Sequence, residues 1–340
     1  MIFLKKAAII SGVFISGLIG AGFATGSEIY FYFSRFGMWG VAGVFLAVLI
    51  FAFMQYAVLN QAHIEKTFTI DEYLKKILKK PFCNLVSAFS YMFMIFILSA
   101  MMSGFGEMMY EMYGIKKLFG AVLMLVCTII IVKKGYSGFV STQSILSVAI
   151  VLIISGVCFY ILSFGNNQIQ VFNPQFSWAG SAVCYTGYNM LTAVAVLCIL
   201  AKDTQKKTSV FSTLITFVIL LLLMTIMWYV IFKFDGVISL GSMPILRICM
   251  YSSKNLALIY FFAVFFSMLT TAVSSAYALS VKYSGGFRGT ILYAVSFFLS
   301  GFDFSFIVDR LYRIGGMLSF ILIIGVILKE IKYIKLKERN

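Results

Sequence analysis

The sequence predicts an all-α integral membrane protein of about ten transmembrane helices, arranged as a 5+5 inverted repeat with helices 1 and 6 broken. Three observations predict it. The 340 residues are 61% hydrophobic and only 11% charged, whereas a soluble domain carries about 25% charge, so lipid must cover most of the surface. The apolar residues gather into ten runs that reach or approach the 20 or so residues needed to cross a bilayer. Two of those runs are interrupted by glycine with hydroxyl or amide neighbours.

This composition excludes a soluble enzyme, a nucleic-acid-binding domain and a secreted disulfide scaffold. The long apolar runs exclude an outer-membrane barrel, whose strands alternate over about ten residues. The six cysteines stand singly, mostly inside apolar runs, and read as small core hydrophobes. His63 is the only histidine, so no His-rich metal site is expected. Lys5 and Lys6 followed by the apolar stretch 7–19 look like the start of a signal peptide. Apolar sequence resumes at 30–33 without an Ala-x-Ala site between, and no cleavage is expected.

The ten expected spans are 7–34, 38–60, 83–111, 117–133, 140–163, 176–200, 208–233, 255–281, 287–301 and 312–329, the ninth being short. An even number puts both termini on one side. With that side taken as the cytoplasm, the outer segments hold eight basic residues: Arg35, Lys116, Lys117, Lys233, Arg247, Lys254, Arg310 and Arg313. The other 19 of the 27 lie inside, as the positive-inside rule requires. The net charge of +15 is therefore topological and faces lipid headgroups, not nucleic acid. This orientation is the one expected in a cytoplasmic membrane, with both termini inside.

Two connections are more than loops. Ile70, Tyr73, Leu74, Ile77 and Leu78 recur with helical spacing, with Lys75, Lys76, Lys79 and Lys80 opposite them. That pattern is an amphipathic helix lying in the inner interface. The outer segment 237–253 is unusually apolar for a loop and contains Pro244, which suggests a re-entrant or lid-like hairpin.

The segment 20–28 reads GAGFATGSE, with Gly20, Gly22 and Gly26 in seven positions near mid-membrane. Each glycine costs about 1 kcal/mol relative to alanine in a helix. Unwound backbone survives in a bilayer only inside protein or beside a polar cavity. Close helix packing through the Gly22–Gly26 pair would account for the glycines but not for Thr25, Ser27 or Glu28. The sixth span carries a second such place, Tyr185, Thr186, Gly187, Tyr188 and Asn189. Discontinuous helices at matching positions of two halves, 7–163 and 176–329, point to a transporter site. In the eighth span Ser267, Thr270, Thr271, Ser274 and Ser275 form one hydroxyl stripe. Set against unwound carbonyls of the first span, these hydroxyls would make a neutral, all-oxygen cation site. The third span carries Ser99, Ser103 and Glu107 at four-residue steps. Intramembrane carboxylates are expensive, which makes Glu28 and Glu107 candidates for coupling.

GAGFATGSE with the IYFYFSRFG that follows it resembles the opening helix of the YkvI-like bacterial membrane proteins. Those belong with the amino acid–polyamine–organocation superfamily and its leucine-transporter-type fold. SGFGEMMYEMYGI (103–115) and MLTTAVSSAYAL (268–279) are similar to that family's third and eighth helices. The resemblance implies that the five-plus-five fold holds substrate at the breaks, contacted by helices three and eight. It further implies a possible Na⁺ between carbonyls of Ser16 and Ile19 and the hydroxyls of Thr270 and Thr271. No Asn follows the Gly-x-Gly and there is no Arg-Phe-Pro run, so Na⁺ and H⁺ both stay open as the coupling ion.

The function expected is a symporter-like secondary transporter for an amino acid or a related zwitterion or anion, working by alternating access. Gly20, Gly22, Phe23, Thr25, Gly26, Ser103, Tyr185, Thr186, Gly187 and Asn189 are the expected substrate contacts. Ser16, Ile19, Thr270, Thr271, Glu28 and Glu107 are the expected coupling residues. No cofactor beyond the ion, no enzyme activity and no nucleic-acid partner is expected; the oligomeric state is left open. The alternative is a nutrient- or germinant-sensing receptor on the same fold.

Overall fold

A computed structural model describes residues 2–164, 177–234, 243–283, 287–302 and 304–337. Among them every regular element is helical. The first predicted span is three pieces, α1 (Ile2–Leu18), α2 (Ala21–Thr25) and α3 (Ser27–Tyr32), followed by a 3₁₀ turn at Ser34–Phe36. Then come α4 (Trp39–Glu65), α5 (Ile70–Ile77), α6 (Lys80–Tyr113), α7 (Lys117–Lys133) and α8 (Gly135–Phe164). The second half holds α9 (Trp178–Leu200), α10 (Lys206–Phe234), α11 (Pro244–Ser252), α12 (Lys254–Lys282), α13 (Phe287–Leu299) and α14 (Phe304–Lys337).

Among the described residues seven helices are long and apolar enough to cross a membrane: α4, α6, α8, α9, α10, α12 and the described end of α14. The other three predicted spans fall short for separate reasons. The first is broken into pieces, α7 has 17 residues, and α13 has 13.

Burial sorts these helices into a centre and a rim. The most apolar stretch of α9 is 78% buried, against 33% for α8. α9 packs on α4 and α14, while α12 packs on α6 and α8. α1 runs between α8 and α10 and reaches both α12 and α9. Outward, Ile145, Leu152, Phe159, Leu222 and Met317 are exposed, the apolar rim that a bilayer would cover.

The amphipathic helix forms as α5. Thr69 caps it by accepting from the Glu72 N–H (3.3 Å), while the Glu72 carboxylate takes the Thr69 N–H in return, a reciprocal capping box. Ile70, Tyr73 and Leu74 are buried and the lysine side is open. Asp71 reaches across to Ser87 and Tyr91 of α6 and to Lys282 at the end of α12 (3.0 Å).

Of the outer segment, residues 237–242 lie outside the described residues. The rest is α11, opened by Pro244 in the first turn, a position where proline is well tolerated. Its Ile245, Leu246, Ile248 and Cys249 are buried, and it packs on α12, α10 and α2. It rests on the broken helix.

Candidate functional site at the first-helix break

The break is written in backbone hydrogen bonds. In a continuous helix the Gly20 N–H would reach the Ser16 carbonyl. Instead it turns back to Leu18 O (3.0 Å), and Gly20 is extended (φ −88°, ψ −170°). The freed carbonyls find hydroxyls on α12. Thr270 Oγ1 donates to Ser16 O (3.0 Å) and Thr271 Oγ1 to Ile19 O (3.4 Å). A second break follows at Gly26, which adopts the left-handed conformation (φ 86°, ψ −2°) between α2 and α3. There the Gly22 carbonyl accepts from Thr25 Oγ1 (3.3 Å) and Ser27 Oγ (3.2 Å), while Tyr260 donates to Ala24 O.

The four residues expected to form a cation site, Ser16, Ile19, Thr270 and Thr271, thus lie together. Their oxygens satisfy one another in direct hydrogen bonds.

A residue outside that expectation ties the region together. Gln143 of α8 is fully buried. Its amide nitrogen donates to Thr270 O (2.7 Å) and Ser274 Oγ (2.9 Å), and its oxygen accepts from Ser16 Oγ (2.6 Å). One side chain therefore joins α1, α8 and α12. An amide in an otherwise apolar span was the available signal, since a buried amide must find partners. The rest of the hydroxyl stripe divides. Ser267 bonds back to Val264 O (2.7 Å), and the buried Ser275 Oγ has no hydrogen-bond partner.

Glu28 opens α3 and folds back over α2. Its carboxyl group occupies the space a Cβ on Gly22 would need, so Gly22 is small because Glu28 lies on it. Glu28 is 5% exposed. It lies beside the Tyr188 hydroxyl, and its Oε2 has no other hydrogen-bond partner. Glu28, Gly17, Gly20, Tyr188, Asn189, Thr192 and Thr271 line a cavity of about 10 Å³, closed on the α6 side by Phe93 and Ile97. A second cavity of about 10 Å³ shares Gly17, Thr192 and Thr271 with it and continues past Ser274 and Ser275. Each has room for about one water molecule. Thr192 and Phe93 carried no signal that set them apart in the sequence.

The sixth helix corrects the sequence reading, because α9 runs unbroken from Trp178 to Leu200. A single glycine costs a helix only about 1 kcal/mol, and the polar neighbours reinforce the helix. Thr186 Oγ1 bonds back to Ala182 O (3.0 Å) and Asn189 Nδ2 to Tyr185 O (2.9 Å). Gly187 is small because a Cβ there would run into Ser319 of α14. Tyr185 sits in a ring cluster with Tyr32, Phe33, Phe51 and Tyr188, at centroid distances of 5.0–5.7 Å.

Two third-span candidates are engaged elsewhere. Ser103 donates to Phe302 O (2.9 Å). Glu107 pairs with Lys117 (3.3 Å), whose side chain is half exposed; at the end of a helix a carboxylate meets the next helix's lysine before it meets the site. Of the expected substrate contacts, Gly20 and Asn189 line the cavity. Gly22, Thr25 and Gly26 shape the break, and Phe23 is buried beside it. Among the described residues no group of three or more His, Cys, Asp or Glu side chains could hold a metal.

No protein-family model matches the chain. It is 23% identical over 282 residues to the uncharacterized membrane protein YkvI of Bacillus subtilis, covering 81% of this chain and 80% of that one. It is 24% identical over 333 residues to the uncharacterized protein YyaD of the same organism, covering 93% and 95%. Among solved structures, a Na⁺-coupled sialic acid symporter superposes with a TM-score of 0.60 at 14% identity, over 96% of this chain and 74% of that one. The Eremococcus coleocola manganese transporter gives 0.62 at 11%, over 93% and 76%. Mhp1, a nucleobase-cation-symport-1 family transporter in a closed conformation, gives 0.52 at 14%, over 95% and 71%. At these identities the likeness is one of fold. The chain is a multi-pass, all-helical membrane protein with the leucine-transporter-type architecture.

Proposed function

We propose that this protein is a secondary transporter that moves a small solute by alternating access, with an amino acid as the first candidate and Na⁺ or H⁺ as the driving ion. The observation that carries the reading is the first-helix break: carbonyls released at Ser16 and Ile19 meet α12 hydroxyls, beside a cavity walled by Glu28, Gly20 and Asn189. Irregular backbone at membrane depth persists where it lines such a cavity. The transporter-type fold of the structural neighbours supports the same reading. Within it, the chain crosses a bacterial cytoplasmic membrane ten times, in halves 7–163 and 176–329, with both ends inside.

The cavity is of single-water size, so cargo must enter through a different conformation, as alternating access requires. The backbone is irregular at Gly20, in the cavity wall, and again at Gly26, at the other end of α2, which are the places such a change would use. The Thr270–Ser16 and Thr271–Ile19 contacts offer oxygens to a small hard cation if both hydroxyls turn.

The test is uptake of labelled amino acids into proteoliposomes under an imposed Na⁺ or pH gradient. Gradient-driven accumulation is expected. Thr270→Ala with Thr271→Ala should weaken Na⁺ dependence at least tenfold if Na⁺ drives transport. Binding without flux would give the receptor reading instead, and single-channel currents would refute the carrier.

A further inference from the structure

We propose that Glu28 is the specificity-determining residue of the site and that it selects a positively charged solute group. On this view the cavity takes a primary ammonium, and the solute is an amine or an amino acid held by its amino end. The inference rests on the break being the solute site.

Glu28 is the one acidic or basic side chain among the described residues that line the cavity. The basic residues on the α-helices packed against α2 and α3 (Lys206, Lys207 and Lys233 of α10, Arg247 of α11, Lys254 and Lys282 of α12) are not part of its wall. A carboxylate taken out of water needs a charge partner or several donors. Glu28 Oε2, in a residue 5% exposed, has no hydrogen-bond partner beyond the neighbouring Tyr188 hydroxyl. A cation arriving in the cavity supplies what is missing.

The rest of the wall suits an ammonium in particular. Such a head group has three donors and no acceptor. Glu28 offers a carboxyl acceptor that ionises against an arriving cation, and the Asn189 amide oxygen and the Thr192 and Thr271 hydroxyls offer neutral ones. Tyr188 of the aromatic cluster, at centroid distances of 5.7 Å from both Tyr32 and Tyr185, is also in the wall; aromatic rings attract cations. The volume, about 10 Å³, matches one water-sized group. An anionic head group finds the opposite, a carboxylate and no basic side chain in the wall. A half-helix N-terminus favours an anion, and the sixth helix supplies none, because α9 is continuous from Trp178 to Leu200.

The experiment is a thermal-stability titration of the purified full-length protein with ethylammonium, ethanol, acetate, glycine and sodium chloride, at constant ionic strength. Ethylammonium and glycine are expected to raise the midpoint in a saturable way that depends on Glu28, while ethanol and acetate leave it unchanged and any sodium response, arising at the Thr270 and Thr271 contacts, persists in Glu28→Gln. Glu28→Gln should weaken amine binding at least about 30-fold, as removal of one partner from a buried charge pair does. Tyr188→Phe, which keeps the ring, should retain more binding than Tyr188→Leu. Acetate or sodium raising the midpoint through Glu28, no response to any amine, or amine binding unchanged in Glu28→Gln would each overturn the proposal. Should Glu28→Gln fail to fold, the contrast between ethylammonium, ethanol and acetate on the native protein still decides. Because the readout is binding, amine recognition without flux would sink the transport reading alone, and flux without amine recognition this inference alone.

Discussion

Replacing Gly26 with alanine should destabilise the protein by about 2–5 kcal/mol. Two independent terms build that figure. Gly26 has φ 86°, and an L-residue held in the left-handed region costs about 1–2 kcal/mol. A Cβ built there would also stand 2.8 Å from Ile245 Cγ1 and 3.0 Å from Ile231 Cδ1. Both isoleucines are fully buried, and overpacking of this kind costs typically 1–3 kcal/mol. Equilibrium unfolding in mixed micelles, followed by circular dichroism, measures the difference. Gly156→Ala is the control: it lies within α8 with nothing within 4 Å of the added carbon, and should gain about 0.5–1 kcal/mol. Gly26→Ala within about 0.5 kcal/mol of the native protein, the range of an inert surface change, would refute the two-joint geometry of the first helix.

Gly187→Ala should lose about 1–3 kcal/mol by driving α9 away from Ser319 of α14. Ser319→Gly should recover much of that loss in the double variant, and simple additivity would count against the contact. The Asp71 cluster makes stability depend on pH. Burial raises the Asp71 pKa, but the Ser87 hydrogen bond and Lys282 outweigh it, with Tyr91 adding to them, and hold the carboxyl below its ordinary value. A carboxyl depressed in the folded state contributes stability above its unfolded value of about 3.9 and loses it as pH falls further. Asp71→Asn should therefore flatten the acid limb of the stability profile, and an unchanged limb would remove Asp71 from it.

The parts of this fold that announce themselves in sequence do so through local physics. Three glycines in seven positions weaken helix propensity, and the first helix breaks at two of them, Gly20 and Gly26. Period-3.6 spacing of Ile70, Tyr73 and Leu74 marks α5, whose buried face is the one that spacing selects. The sixth helix misleads because a lone glycine among polar neighbours looks alike whether it unwinds or merely lets another helix approach. At Gly187 the deciding partner, Ser319, lies 132 positions further along the chain. Gln143 is similarly opaque: an amide among apolar residues signals that partners exist, but Ser16, Thr270 and Ser274 become its partners only through packing. The meeting of Thr270 and Thr271 with the first-helix carbonyls came from the family resemblance, since a stripe of hydroxyls does not itself name the helix it faces.

The five residues of α2 are a short link with a break in the helix at either end, at Gly20 and at Gly26. A rod with one joint can only tilt, whereas a link between two can swivel while its neighbours keep their directions. Tyr260 holds the middle of the link to α12 through Ala24 O, and Ile245 of α11 presses on the break at Gly26. Any movement of α11 is therefore delivered to the link, and so to the Glu28 carboxyl lying across it, without passing through the straight shaft of α9. The broken helix carries the Glu28 carboxyl and Tyr32, and the unbroken α9 carries Tyr185 and Tyr188, so the site has one wall on each.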